Sequence, residues 1–259
     1  MNHSRFKRAL WASWLGFISL IVVWQIIAAL GIRDPLVFPG PLAVIEAAIK
    51  NVPLTRLLEH IGISLLRVIM GFSLGAAVGI TVGIVSGWYQ KLGNVLRTPI
   101  EILRPIPPLA WIPLAIIWLG LGESSKVLII FLGSFFPIFT NTYKGMVAID
   151  PNIIRAAQTL GIQRNRLLFK VIFPATLPDI ATGFRVGWSY SFGLVVAAEL
   201  IAASRGLGYM IMHARELNMI SVIMYGVIVI GTINLLTDYL IQEVILKRKL
   251  KWHYIETAF

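Results

Sequence analysis

Five runs without a single charged side chain, Ala9–Ile32, Val68–Gln90, Pro105–Gly122, Val127–Tyr143 and Leu217–Thr237, limit what this chain can become. A sixth, Val186–Ser204, is interrupted only by Glu199. Each approaches the ~20 residues with which an α-helix crosses a ~30 Å hydrocarbon layer. In that layer the backbone has to satisfy its own polar groups, which a helix does within each segment. Composition agrees: hydrophobic residues make up 57% and charged residues 14%, against about 45–50% and 25% in soluble chains. The pattern predicts an all-α integral membrane protein with six spans, near residues 11–31, 64–88, 103–122, 125–145, 185–204 and 217–240. Loops between them are short, so residues 1–259 read as one transmembrane domain without a soluble one. Arg5, Lys7 and Arg8 precede the first run as they would in a signal peptide. That run is too long and lacks an A-x-A cleavage site, which makes it an uncleaved span.

Cations set the expected orientation. With the N-terminus inside, sixteen of the 23 Lys and Arg residues fall on the inner side. Six fall outside (Arg33, Lys50, Arg56, Lys126, Arg205 and Arg215), and Arg67 lies near a span. This bias predicts both termini in the cytoplasm. It also accounts for the net charge of +11 as topology determinants beside an anionic leaflet, without nucleic acid as a partner.

Catalytic patterns are missing. The chain has no cysteine, which excludes thiolate chemistry and Cys-ligated metal. His3, His60, His213 and His253 lack ligand spacing, so no metal site is expected. No G-x-x-x-x-G-K-[ST] loop is present to cradle a nucleotide phosphate. The chain is therefore expected to be no enzyme and to carry no cofactor, and any ATP-driven role needs a second polypeptide.

Within the spans three features stand out. Gly71, Gly75, Gly79, Gly83 and Gly87 recur every fourth residue, a small-xxx-small ladder that lets a neighbouring helix approach closely. Packing inside the subunit is the preferred reading, and a dimer seam the other; either way the second span is buried in protein. Pro105, Pro107, Pro108 and Pro113 cannot all sit in one regular helix. They mark a broken helix beside a pathway, with Trp111 at the break, or simply the inner start of the third span. Glu199, deep in the fifth span, is either a functional group or a helix-packing hydrogen bond near the outer interface. Its partner is Arg185 or Arg205, if the geometry brings either close, or equally a group on another helix. Ser189, Tyr190 and Ser191 on the same run can hydrogen-bond a polar solute, as can Asn141 and Thr142. Asp238 and Glu243 are expected to meet water. Outside, Ala43–Lys50 predicts a short helix lying on the membrane, the loop around Arg205–Leu217 carries GLG at Gly206–Gly208, and these two segments are the landing surface expected for an external partner.

Asp150–Ile180 is a basic island between apolar segments. Asp150 suits an N-cap and Pro151 a first turn. Ile153, Ala157 and Leu160 share one face, and Gly161 supplies a stop. A second short helix is expected over roughly Asn165–Phe173, ended by Pro174 with Pro178 blocking continuation. An apolar helical face outside the membrane suggests a groove on another protein.

This segment resembles the cytoplasmic loop of importer-type ABC permeases, whose signature runs E-A-A, then glycine, then I-x-x-P-x-x-x-P. Arg155, Ala156 and Ala157 stand at the triplet and Gly161 at the glycine, while Ile172, Pro174 and Pro178 match the tail. The chain departs at the first position, where Arg155 replaces Glu. The resemblance extends to FPGPLAV near Phe38, Arg104–Lys126, Arg155–Gly161 and Ala197–Met210, which look like the taurine, aliphatic sulfonate and nitrate branch, most of all the taurine permeases. It implies a type I importer fold in which loop 146–182, with Arg155, Ala156, Ala157, Gly161, Leu167, Pro174 and Pro178, couples to a cytoplasmic ATPase that holds ATP and Mg. It further implies a second permease copy, an external solute-binding protein, and a pathway for which Pro107, Pro108, Trp111, Ser189, Tyr190 and Glu199 are candidates. The competing reading is an ion-coupled secondary transporter built on Glu199.

Overall fold

The computed structural model describes residues 3–31, 34 and 36–246. Arg33, Lys247, Arg248, Lys249, Lys251 and His253, which enter the topology and metal readings, lie outside the described residues. Every regular element among the described residues is helical: α1 (His3–Ala29), α2 (Pro41–Asn51), α3 (Leu54–Trp88), α4 (Gln90–Leu103), α5 (Ile112–Leu119), α6 (Glu123–Val147), α7 (Pro151–Thr159), α8 (Arg164–Leu167), α9 (Phe173–Ala202), α10 (Leu207–Glu216) and α11 (Ile220–Leu240). The Ile220–Glu243 stretch, α3 and α6 are each long and apolar enough to cross a bilayer. Two bent pairs qualify only when taken together, and in α1 the apolar stretch is Ile18–Ala29.

Helix α6 is the centre, with α3 on one side and α9 on the other. Lipid removes the hydrophobic drive for helix association, so close packing has to supply it. The glycine ladder provides it. Gly71, Gly75, Gly79, Gly83 and Gly87 face Ile130, Ser134, Ile138, Thr142 and Met146, two four-residue stripes running along one seam between α3 and α6. A Cβ on Gly71 would lie 2.6 Å from Ile130 Cβ, and one on Gly83 2.7 Å from Thr142 Cβ. On the α9 side Gly183 and Gly187 approach Ile138 in the same way. Phe72 closes the α3–α9 seam edge-on against Phe184 and Trp188, with ring centroids 4.5 and 5.0 Å away.

Of the two readings of the proline-rich stretch, the structure shows the broken helix: α4 and the Pro108–Leu119 segment meet at 87°. Pro105, Pro107 and Pro108 supply no backbone N–H to carry α4 forward. The 12 residues beyond the break rise only about 18 Å, short of a bilayer crossing. The second loop helix does not stop at Pro174. A π-turn at Leu168–Ile172 links α8 directly into α9, which contains Pro174 in its first turn and Pro178 within it. Phe173 N–H still reaches back to the Leu168 carbonyl in the wider π-turn, and Pro174, which has no N–H to donate, follows where the turn narrows to the α-helix.

Candidate functional site

The loop at one end of the bundle forms as its capping residues dictate. The backbone N–H of Asn152 donates to Asp150 Oδ1 at 2.8 Å, and Pro151 opens α7. At the other end Gly161 adopts φ +79°, a region that penalises any side chain. There Gly161 N–H donates to the Gln158 carbonyl and Ile162 N–H to that of Ala157, the paired bonds of a Schellman stop.

The apolar face of α7 is divided. Ala157 is buried with Met146, Leu167 and Ile172, and the half-buried Ile84, Trp88 and Ile154 complete the cluster. Ala157 and Leu167 thus brace the loop on the ends of α3 and α6 and present nothing outward. What faces away is Ile153, Arg155, Ala156, Leu160 and Phe169, with Leu160 82% exposed. Pro174 and Pro178 are half-buried within α9.

Halfway along the bundle lies a cavity of about 280 Å³, lined by Arg104, Pro108, Leu132, Gly133, Phe136, Pro137, Thr140, Asn141, Val186 and Tyr190. Two backbone defects border it. One is the α4–α5 break at Pro108, and the other is Pro137, which denies the Gly133 carbonyl its i+4 donor. Asn141 Nδ2 donates to the Pro137 carbonyl at 2.8 Å. Irregular backbone at such depth persists only inside protein or beside water. Of the sequence candidates, the cavity joins Pro108 and Tyr190. Pro107 and Ser189 are their exposed neighbours. Trp111 instead packs with Ile112, Ala115, Ile129 and Leu194.

Glu199 lies elsewhere, at the bundle end that carries α2 and α10. Its fully buried carboxylate pairs with Arg67 Nη1 at 2.7 Å. It also accepts from the Gly208 N–H at 2.8 Å and from Ser64 Oγ, which is 2.8 and 2.9 Å from its two oxygens. Arg67 grips Glu123 with Nε and Nη2 at 2.5 and 2.6 Å, and donates to the Arg205 carbonyl at 2.7 Å. Lys126 approaches Glu123 Oε1 at 3.2 Å and donates to the Gly122 carbonyl at 3.1 Å. The GLG turn fits because Gly206, at φ +123°, leaves no room for a Cβ: that atom would lie 2.5 Å from the Glu199 carboxylate.

The network corrects several expectations. Lys126, counted as an outer charge, and Arg67, placed near a span, are both buried. The partner of Glu199 is Arg67, not Arg185 or Arg205, which pair with Asp238 and Glu59. Asp238 accordingly does not meet water alone. The available signal was Arg67 itself, a cation inside what became a 35-residue apolar helix.

The chain is thus a multi-helix bundle with a braced loop helix at one end and a proline-bordered cavity halfway along. Residues 79–249 match the family described as binding-protein-dependent transport system inner membrane component, and the chain belongs to it. It is an ABC importer permease subunit, an inner-membrane component. A protein of Methanocaldococcus jannaschii that bears the name of an ABC transporter permease is 43% identical over 84% of this chain and 83% of its own. The taurine transport system permease protein TauC of Escherichia coli K12 is 38% identical over 90% of this chain and 86% of its own. The bicarbonate transport system permease protein CmpB of Synechococcus elongatus is 33% identical over 86% and 84%. An inward-facing structure of the MetNI methionine ABC transporter superposes with a TM-score of 0.59, covering 73% of this chain and 96% of that one at 19% identity. It shares the fold. Membership in a binding-protein-dependent family removes the ion-coupled alternative, and Glu199, the carboxylate on which that reading rests, is paired with Arg67.

Proposed function

We propose that the chain forms the translocation pathway of an importer for a small anion, with taurine or an alkanesulfonate the favoured cargo and nitrate or bicarbonate next. The observation that carries the coupling part is the divided face of α7. Ala157 and Leu167 tie the loop to α3 and α6, while Ile153, Leu160 and Phe169 face away from the bundle. An apolar face with no cover among the described residues suits a groove on the partner ATPase, which holds ATP and Mg. Closure of that partner then moves α7 and, through Met146, the end of α6. In this reading the α7 end and both termini are cytoplasmic, and two copies of the chain pair as a homodimer. The opposite face receives the solute-binding protein, at a cavity of about 360 Å³ lined by Arg56, Glu59, His60, Arg205 and Tyr209 among others. The cargo reading draws on the names of TauC and CmpB. Calorimetric binding of taurine, ethanesulfonate, nitrate and bicarbonate to the partner solute-binding protein tests it. Tight binding of one names the cargo; binding of none of the four overturns the anion reading.

A further inference from the structure

Arg104 was read as an inner-surface charge, yet it lines a cavity with Leu132, Pro137 and Thr140 of α6 and with Tyr190 of α9. Pro137 lies 14 residues into α6, roughly 21 Å along a helix of about 37 Å. The cavity that Arg104 lines is therefore at mid-depth, and Arg104 itself is exposed on the single chain. Among the described residues no carboxylate pairs with it: the adjacent Glu101 is held by Arg97 at 2.6 Å, and the other ion-paired carboxylates are matched to other cations. A guanidinium at this depth cannot face lipid tails cheaply, and uncovered cations inside membrane proteins border water or a substrate path. Its surroundings suit a small oxyanion. Asn141 and Thr140 offer polar groups, Tyr190 offers a hydroxyl, and Leu132, Phe136 and Val186 offer an apolar wall.

We propose that Arg104, with Tyr190 and Asn141, forms the anion subsite of the pathway: the guanidinium receives the charged head of the cargo, and the Leu132, Phe136 and Val186 wall receives its short apolar part. This rests on the pathway reading given above and assigns it a selectivity-setting residue. The planar, permanently charged fork of arginine matches a sulfonate or carboxylate face with two parallel hydrogen bonds.

The absence of cysteine from the chain permits a direct electrostatic test. A Tyr190→Cys variant, assembled with its ATPase and binding protein in proteoliposomes, is titrated with an anionic methanethiosulfonate (ethylsulfonate) and a cationic one (ethyltrimethylammonium). The expected result is faster labelling by the anionic reagent, with the anion-to-cation rate ratio falling at least tenfold when Arg104→Gln is added and recovering with Arg104→Lys. An unchanged ratio on Arg104→Gln overturns the proposal. So does failure of both charged reagents to reach Tyr190→Cys, since the cavity is then closed to water. Parallel uptake of radiolabelled taurine, ethanesulfonate and bicarbonate by the unmodified assembly separates the two claims. No uptake together with a retained charge preference defeats the cargo assignment while leaving the anion subsite standing.

Discussion

Replacing Arg67 by methionine keeps an unbranched apolar stem, shorter than that of arginine, and removes its charge. Glu199 is then left with side-chain exposure of 0% and only Ser64 and the Gly208 N–H for partners. Breaking one side of a buried ion pair typically costs about 3–5 kcal/mol, because the orphaned charge keeps its desolvation penalty. Glu199→Gln is milder, about 1.5–3 kcal/mol for the lost charged hydrogen bonds. Arg67 keeps its fork on Glu123, which is 59% exposed and also reached by Lys126. The double variant Arg67→Met/Glu199→Gln leaves no buried charge without a partner, so it should lie about 2–3 kcal/mol above the sum of the single losses. Reversible unfolding in mixed micelles, followed by tryptophan fluorescence, measures all four corners of the cycle. Single-variant costs that add to within about 0.5 kcal/mol would refute the pairing as the element joining α3 to α9.

The seam between α3 and α6 gives a second outcome: Gly83→Ala should cost about 1–3 kcal/mol by overpacking. Gly62→Ala, with nothing within 4 Å of the new Cβ, should be neutral or slightly stabilising in the same unfolding assay. Gly161→Ala meets no neighbour but is held at φ +79°, so about 1–2 kcal/mol of local strain is expected. Faster amide exchange at Gly161 and Ile162 would report it. Leu160→Asp, on an exposed position, should leave thermal unfolding unchanged and abolish co-purification of the ATPase. Ala157→Asp, on a buried one, should lower the unfolding temperature even without the ATPase.

The loop helix was legible because its signals are local: Asp150 and Pro151 start it, Gly161 stops it, and each acts within four residues. The glycine ladder was legible as a close-approach surface, but its opposing stripe, Ile130 to Met146, carries no small-residue signature and only the fold pairs them. Arg67 and Glu199 are separated by 132 residues, and no periodicity links them. Arg104 gave no sign of its neighbours for a related reason: charge counting assigns a side, and only the fold sets Arg104 beside Pro137 and Tyr190 in one cavity. Pro174 and Pro178 look like helix stops in sequence, and the π-turn before them lets α9 begin early enough to absorb the first.

Uptake of radiolabelled taurine into proteoliposomes, with this chain assembled with its ATPase and binding protein, tests the central claim most directly. Accumulation that requires internal or external ATP on the ATPase side, stops when the ATPase is left out, and survives a protonophore is the result this account requires. Accumulation that persists without the ATPase and collapses with the protonophore would contradict it.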